Sequence, residues 1–200
     1  VTRISEMLAS ESMKVTGHEE DYNSIMVEEE EALKHITPDS LLVLVDHHRE
    51  ILTASKAVLE AISKRIIVDH HRRAEDLIGD TVLLYLEPSS SSTSELLTEL
   101  VGYFNDRLEI TPAEATALYS GIVLDTKNFA VQTGERTFEA AALLRRNGAD
   151  SNMVRLMFKD DMDVLKLRAR LLADAKVLEH GIAIALYKKK EKAHPDVLNI

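Results

Sequence analysis

The chain has 200 residues, 45% hydrophobic and 29% charged, with 7 Gly and 4 Pro, so it can bury a substantial core and is neither disordered nor collagen-like. It has no cysteine, which excludes a disulfide scaffold, a thiolate zinc site and a cysteine nucleophile, fits a reducing compartment and leaves histidine and carboxylate as metal ligands. The formal net charge of −10 argues against a protein that grips long nucleic acid by its phosphates, whereas carboxylates gathered at one place would favour a bound divalent cation.

The start VTRISEMLASES lacks an apolar h-region and no apolar run approaches the roughly 18 residues of a membrane span, so a soluble segment is expected. A first helix is predicted to about Ser12, followed by MKVTGHEEDYNSIM, a short apolar lead-in to a dense set of polar side chains that includes His18, Asp21 and Asn23. VEEEEALKH reads as a helix whose run of glutamates is a solvated face. LLVLVDHH is a run of five apolar residues ending in Asp46, the pattern of a fully buried parallel strand. Apolar positions three and four apart predict a helix over residues 51–63, and RIIVDHH then repeats the strand pattern and ends in Asp69. The two VDHH tetrapeptides therefore bracket one β-α-β unit.

A third strand is predicted over residues 81–87, stopped by Pro88 and a serine tract. Ser92 and Glu95 have capping-box spacing for a helix to about Phe104, and Thr111-Pro112-Ala113-Glu114 opens a second helix to about Leu124 that delivers Asp125 just past its end. Thr137 is a candidate cap for a further helix that Gly148 ends. Helices over 151–158 and 162–178 follow, and GIAIALY is a strand that begins a second module. The fold class is α/β, a parallel sheet flanked by helices, with a helical connector and the start of a second α/β module.

In an open parallel sheet the carboxyl ends of the strands line the ligand crevice. Asp46 and Asp69 leave their strands at that edge, with His47, His48, His70 and His71 beside them, and aspartate with neutral imidazole suits Mn²⁺, Fe²⁺ or Zn²⁺. A single Asp-His pair is more often a surface turn, and two in adjacent strands make a ligand role stronger. Ser90, Ser91, Ser92 and Thr93 at a helix start could hold a phosphate or simply cap the helix. Arg72, Arg73, Lys127, Asn128, Arg136 and Thr137 are phosphate-compatible, although surface arginines are common. Neither G-x-S-x-G nor a P-loop motif is present.

The blocks VDHHRRAE, EPSSSSTSELLTEL, EATALYSGIVLDTKNF and TGERTFEAAALLRRNGAD, in this order, resemble the DHH phosphoesterases, and most closely their GdpP-type cyclic di-AMP phosphodiesterase subgroup. The resemblance runs over about residues 41–158. It implies a Rossmann-like DHH domain with two Mn²⁺, for which Mg²⁺, Co²⁺ or Fe²⁺ could substitute. The implied ligands are His18, Asp21, Asn23, Asp46, His70 and Asp125. His71 would orient the site or donate to a phosphate oxygen, and Asp46, His70, His71 and Asp125 form the implied catalytic set. Arg72, Ser91, Ser92, Thr93, Lys127, Asn128 and Arg136 are the substrate-binding candidates. The implied reaction opens one 3′,5′ linkage of cyclic di-AMP to give linear pApA and ends a second-messenger signal. A nanoRNase or pAp phosphatase of the same superfamily, acting on short linear oligonucleotides, is the alternative, and a degenerate nucleotide-binding module without turnover is another.

The family's first motif reads H-x-x-x-D-x-D, whereas His18-Glu19-Glu20-Asp21-Tyr22-Asn23 has one residue fewer in the gap and an amide for the last carboxylate. The short distance from there to Asp46 implies residues missing near 12–40. The resemblance places a DHH catalytic domain at 1–160, a helical linker at 161–180 and the beginning of a DHH-associated C-terminal domain at 181–200. It further implies a homodimer without direct membrane contact by this segment, on the cytoplasmic face of the membrane in full-length relatives.

Overall fold

The computed structural model describes residues 27–104, 109–159 and 162–187, and the chain divides after Met157 into two units. The first unit is α/β. Its elements are α1 (Glu29–His35), β1 (Leu41–Val45), α2 (Lys56–Ala61), β2 (Lys64–Asp69), β3 (Leu83–Leu86), α3 (Thr93–Phe104), α4 (Pro112–Asp125), α5 (Glu135–Arg146) and α6 (Ser151–Met157). The expected first helix lies outside the described residues, as do His18, Asp21 and Asn23.

The three strands form a parallel sheet in the order β1-β2-β3, with Val45 opposite Val68 and Asp69 opposite Leu86. All three strands therefore end at one edge, and the residue after each is presented there. One sheet face carries a core of Leu44, Ile67, Leu59 of α2 and Ile78, with Leu42 and Leu84 packed against it. The expectation of a fully buried β1 does not hold. Leu41, Val43 and Val45 are exposed among the described residues, because β1 is the edge strand and strand side chains alternate between faces.

The helix expected over 51–63 is shorter than its periodicity. A 3₁₀ turn covers Glu50–Leu52, and the Ser55 hydroxyl accepts the Val58 N–H at 3.1 Å, so the α-helix starts only at Lys56. The Thr111 start is a complete capping box: Thr111 Oγ1 accepts the Glu114 N–H and the Glu114 carboxylate accepts the Thr111 N–H. Asp125 is the last residue of α4 rather than the one beyond it. Thr137 is not the N-cap of α5; it lies in the first turn, and its hydroxyl accepts the Gly134 N–H at 3.0 Å. Gly148 ends α5 in the left-handed region at φ 92°, which a side chain rarely adopts.

Helices α3, α4 and α5 pack on one another. Ala115, Ile122, Ala140, Leu144 and Ala149 form their core, with Tyr119 and Phe129 against it. Ile122 and Leu144 are wholly excluded from solvent, which stabilises the fold by roughly 1.5–3 kcal/mol for each side chain.

The second unit contains α7 (Met162–Ala173), β4 (Lys176–Val177) and β5 (Ala183–Ile184). The helix expected to reach residue 178 stops at Ala173, and Lys176–Val177 instead pairs antiparallel with Ala183–Ile184 around a 3₁₀ turn at Glu179–Gly181. No helix among the described residues is long and apolar enough to cross a membrane.

Candidate functional site

The parallel register of β1 and β2 delivers the two VDHH segments to one sheet edge. The Asp46 N–H continues the ladder to the Val68 carbonyl at 3.0 Å, and Asp46 then turns into the left-handed region at φ 66°. Aspartate tolerates that conformation better than most residues, at a cost of about 1–2 kcal/mol. The DHH segment begins on Asp69, the last residue of β2, and Asp125 is supplied by the last residue of α4. His70 Nε2 lies 3.6 Å from Asp46 Oδ1 and 3.6 Å from Asp125 Oδ2. Asp46, His70 and His71 each offer a ligand atom within 4.8 Å of the others.

Electrostatics at this point are unfavourable for the protein alone. Burial raises the pKa of the Asp125 carboxyl above its ordinary value, and the Asp46 charge raises it further, with His70 and His71 offsetting only part. Two carboxylates and imidazole nitrogens at this spacing are a donor set that fits a hard or borderline divalent cation, whose charge would remove the repulsion.

Behind the cluster lies Asp69, wholly buried, which the strand reading brought to the ligand edge and which the ligand set implied by the resemblance leaves out. One carboxylate oxygen takes the ring N–H of buried His48, and the other takes the backbone N–H and ring Nδ1 of His71. Burial works to raise the Asp69 pKa, but the hydrogen bonds from His48 and His71 outweigh it and hold the carboxyl below its ordinary range. For His71 burial disfavours the charged ring, yet the bond to Asp69 and the charges of Asp69, Asp46 and Asp125 hold its pKa above the ordinary value.

The serine tract takes part in the fold through its hydroxyls. Glu95, in the first turn of α3, is buried, and its carboxylate accepts hydrogen bonds from Ser90 Oγ at 2.7 Å, Ser91 Oγ at 2.5 Å, the Ser91 N–H at 3.3 Å and Thr137 Oγ1 at 2.7 Å. Ser92 Oγ caps α3 by accepting the Glu95 N–H. The Ser91 and Ser92 hydroxyls are thus committed to the protein's own carboxylate and helix start, while Thr93 Oγ1 is buried without a hydrogen-bond partner among the described residues. Arg136 is likewise engaged, in a two-point contact with Glu99 at 2.7 and 2.5 Å.

A cavity of about 590 Å³ opens beside the cluster, lined by His70, His71, Arg72, Ser89, Asp125 and Gly134 among others. Of the phosphate-binding candidates, Arg72 and Ser90 line it. Lys127 and Asn128 follow Asp125 in a left-handed turn with φ of 48° and 60°, pinned by buried Thr126, whose carbonyl and hydroxyl accept the N–H groups of residues 129–131. Sequence reasoning brought His48 and Asp69 to the ligand edge without their buried, supporting role, and it missed Glu95 as a site-building residue. The only signal was the doubled VDHH and the capping-box glutamate, neither of which says which side chain turns inward.

A profile of the DHH family, N-terminal domain, matches residues 4–122. The chain belongs to the DHH family. It is 45% identical over 161 residues to the cyclic-di-AMP phosphodiesterase PdeA of Listeria monocytogenes, covering 80% of this chain and 24% of that protein. It is 38% identical over 192 residues to the cyclic-di-AMP phosphodiesterase GdpP of Bacillus subtilis, covering 94% of this chain and 29% of that protein. The chain thus spans about a quarter of the length of the curated relatives it matches. Among solved structures, an exopolyphosphatase-related protein from Bacteroides fragilis superposes with a TM-score of 0.65 at 22% identity, over 76% of this chain and 45% of the other, which shows a shared fold. The DHH motif of this chain is Asp69-His70-His71, and its first residue is the buried anchor rather than part of the exposed cluster.

Proposed function

We propose that this chain carries the catalytic DHH domain of a Mn²⁺-dependent phosphodiesterase that opens cyclic di-AMP to linear pApA and so ends a second-messenger signal. The observation that carries the reading is the convergence of Asp46, His70 and Asp125, with the Asp125 carboxyl pushed up by burial and by Asp46. Relatives named as cyclic-di-AMP phosphodiesterases support the substrate class.

Asp46, His70 and Asp125 would hold the metal, joined by His18, Asp21 and Asn23 from outside the described residues. When bound, the ions polarise the phosphodiester oxygens and lower the pKa of an attacking water. Arg72, on the wall of the cavity, would pair with a non-bridging phosphate oxygen. Since pApA keeps its 5′-phosphate, the bond that breaks is P–O3′, and the departing ribose oxygen needs a proton. His71 suits that role, because Asp69 keeps its Nδ1 occupied and its pKa high, leaving Nε2 as the nitrogen that gives up a proton. The domain would work on the cytoplasmic side as part of a homodimer.

The test is turnover of cyclic di-AMP, pApA and 3′-phosphoadenosine 5′-phosphate in Mn²⁺, with EDTA and D125A as controls. Conversion of cyclic di-AMP to pApA that both controls abolish is the expected result. A faster rate on the linear substrates would move the assignment to a nanoRNase or pAp phosphatase, and binding without turnover would make the domain a nucleotide sensor.

A further inference from the structure

His48 is the last residue of the first VDHH, two positions beyond Asp46, yet it is only 2% exposed and faces away from the exposed cluster into the protein. Both of its ring nitrogens are spent. Nε2 accepts the Ala74 N–H at 2.9 Å, and because a backbone amide can only donate, that nitrogen carries no proton in this bond. The ring proton therefore sits on Nδ1, which donates to Asp69 Oδ2 at 2.5 Å. The main chain clamps the same residue, since its carbonyl accepts the Ile78 N–H at 2.9 Å.

With Oδ2 taken, Asp69 has Oδ1 left, and it holds the His71 backbone N–H at 3.2 Å and His71 Nδ1 at 2.7 Å. The His71 ring itself is largely open to solvent, with 56% of its side chain exposed. Packing alone would leave such a ring free to turn and to adopt the Nε2–H tautomer that neutral exposed histidine favours. We infer that His48, through Asp69, is a positioning residue that fixes the tautomer and orientation of His71, so that Nδ1 carries the fixed proton and Nε2 faces the site. The chain of contacts starts at a backbone N–H of the 72–77 loop and ends at the edge of the metal-fitting cluster. His48 itself, with no free nitrogen, serves neither as ligand nor as base.

The experiment is ¹⁵N NMR of the histidine rings in the metal-free 200-residue chain, at an alkaline pH where imidazoles are neutral, assigned with H71Q. Wild type should show His71 in the Nδ1–H form. H48N places an amide N–H where His48 Nδ1 stood and should keep that form; H48L has no donor and should move His71 toward the Nε2–H form. In H48L kcat should fall about 10–100-fold, more than KM rises, with H48N close to wild type. A wild-type His71 in the Nε2–H form, or an H48L protein with a wild-type melting temperature and an unmoved His71, overturns the proposal. If H48L does not fold, H48N decides alone: a His71 displaced in that variant also overturns it. The kcat readout rests on the phosphodiesterase reading, whereas the tautomer readout uses neither metal nor substrate, so the two can fail separately.

Discussion

Two groups of carboxylates at the same end of the sheet have opposite fates. Glu95 is buried and surrounded by four donors, so burial, which acts to raise its pKa, is outweighed by Ser91, Thr137 and Ser90 and the carboxyl stays below its ordinary range. Asp125 is partly buried beside another carboxylate, and its pKa is raised. The protein satisfies the first anion by itself and holds the second beside a like charge. A buried charge whose donors all come from the chain stabilises the fold; one held against a like charge costs stability until a counter-ion arrives.

The largest expected effect follows from the unsatisfied side. On the proposed function, Asp125→Asn removes a ligand candidate and should lower turnover of cyclic di-AMP by about 100-fold or more. The same substitution should raise the melting temperature of the metal-free protein at neutral pH. The sign follows from the raised pKa: ionised Asp125 destabilises the fold from the unfolded value upward, and the amide cannot ionise. An Asp125→Asn protein that melts below wild type without metal would break the contrast.

Glu95 should behave in the reverse way. Glu95→Ala leaves the Ser90, Ser91 and Thr137 hydroxyls without their acceptor and should cost about 3 kcal/mol or more. Glu95→Gln keeps the shape and should cost less. Because the folded pKa is depressed, the contribution of Glu95 is fully present above its unfolded value of about 4.3 and is lost as the pH falls through the folded value. Acid unfolding followed by circular dichroism should therefore be less steep in Glu95→Gln between about pH 5 and the folded value. An unchanged acid transition would remove the stabilising role assigned to Glu95.

This contrast also marks what could be read in advance. The strand leading into Asp46 and the strand ending in Asp69 were legible, since an apolar run closed by a polar residue fixes both the element and the edge that residue reaches. Thr111-Pro112 was legible because capping is local chemistry. The role of Glu95 was not, because its partner Thr137 lies 42 residues away and a capping-box glutamate has the same sequence spacing whether or not it turns to a distant hydroxyl. Nor does VDHH reveal that His48 and Asp69 face inward while Asp46 and His70 face the cluster; the left-handed turn at Asp46 is a backbone feature that the four letters do not carry. The burial of β1 was overstated because five apolar residues look alike on an edge strand and a central one.

A smaller effect tests how the helices carry the two carboxylate groups together. Gly121 of α4 meets the first turn of α3, where a Cβ would run into Ser94 Oγ and lie 3.0 Å from Ser94 Cβ. Gly121→Ala should cost about 1–3 kcal/mol by overpacking. Ser94→Ala in the same chain removes the hydroxyl and should return part of that loss, whereas a fully additive double variant would show that the two helices do not meet there.

The smallest effect separates the position of Asp125 from the stability of the helix that bears it. Thr111→Ala removes the hydroxyl that accepts the Glu114 N–H and should cost about 1 kcal/mol. The cap stands at the opposite end of α4 from Asp125, which is held locally: the Thr126 N–H and Oγ1 both bond to the Ile122 carbonyl, and Thr126 in turn anchors the left-handed turn that follows. A loss at the first turn should therefore lower the melting temperature by about 2–4 °C and leave the Mn²⁺ affinity unchanged. If Thr111→Ala weakened Mn²⁺ binding, the position of Asp125 would depend on the whole helix, and the separation drawn between the self-satisfied carboxylate and the one held beside a like charge would have to include α4 itself.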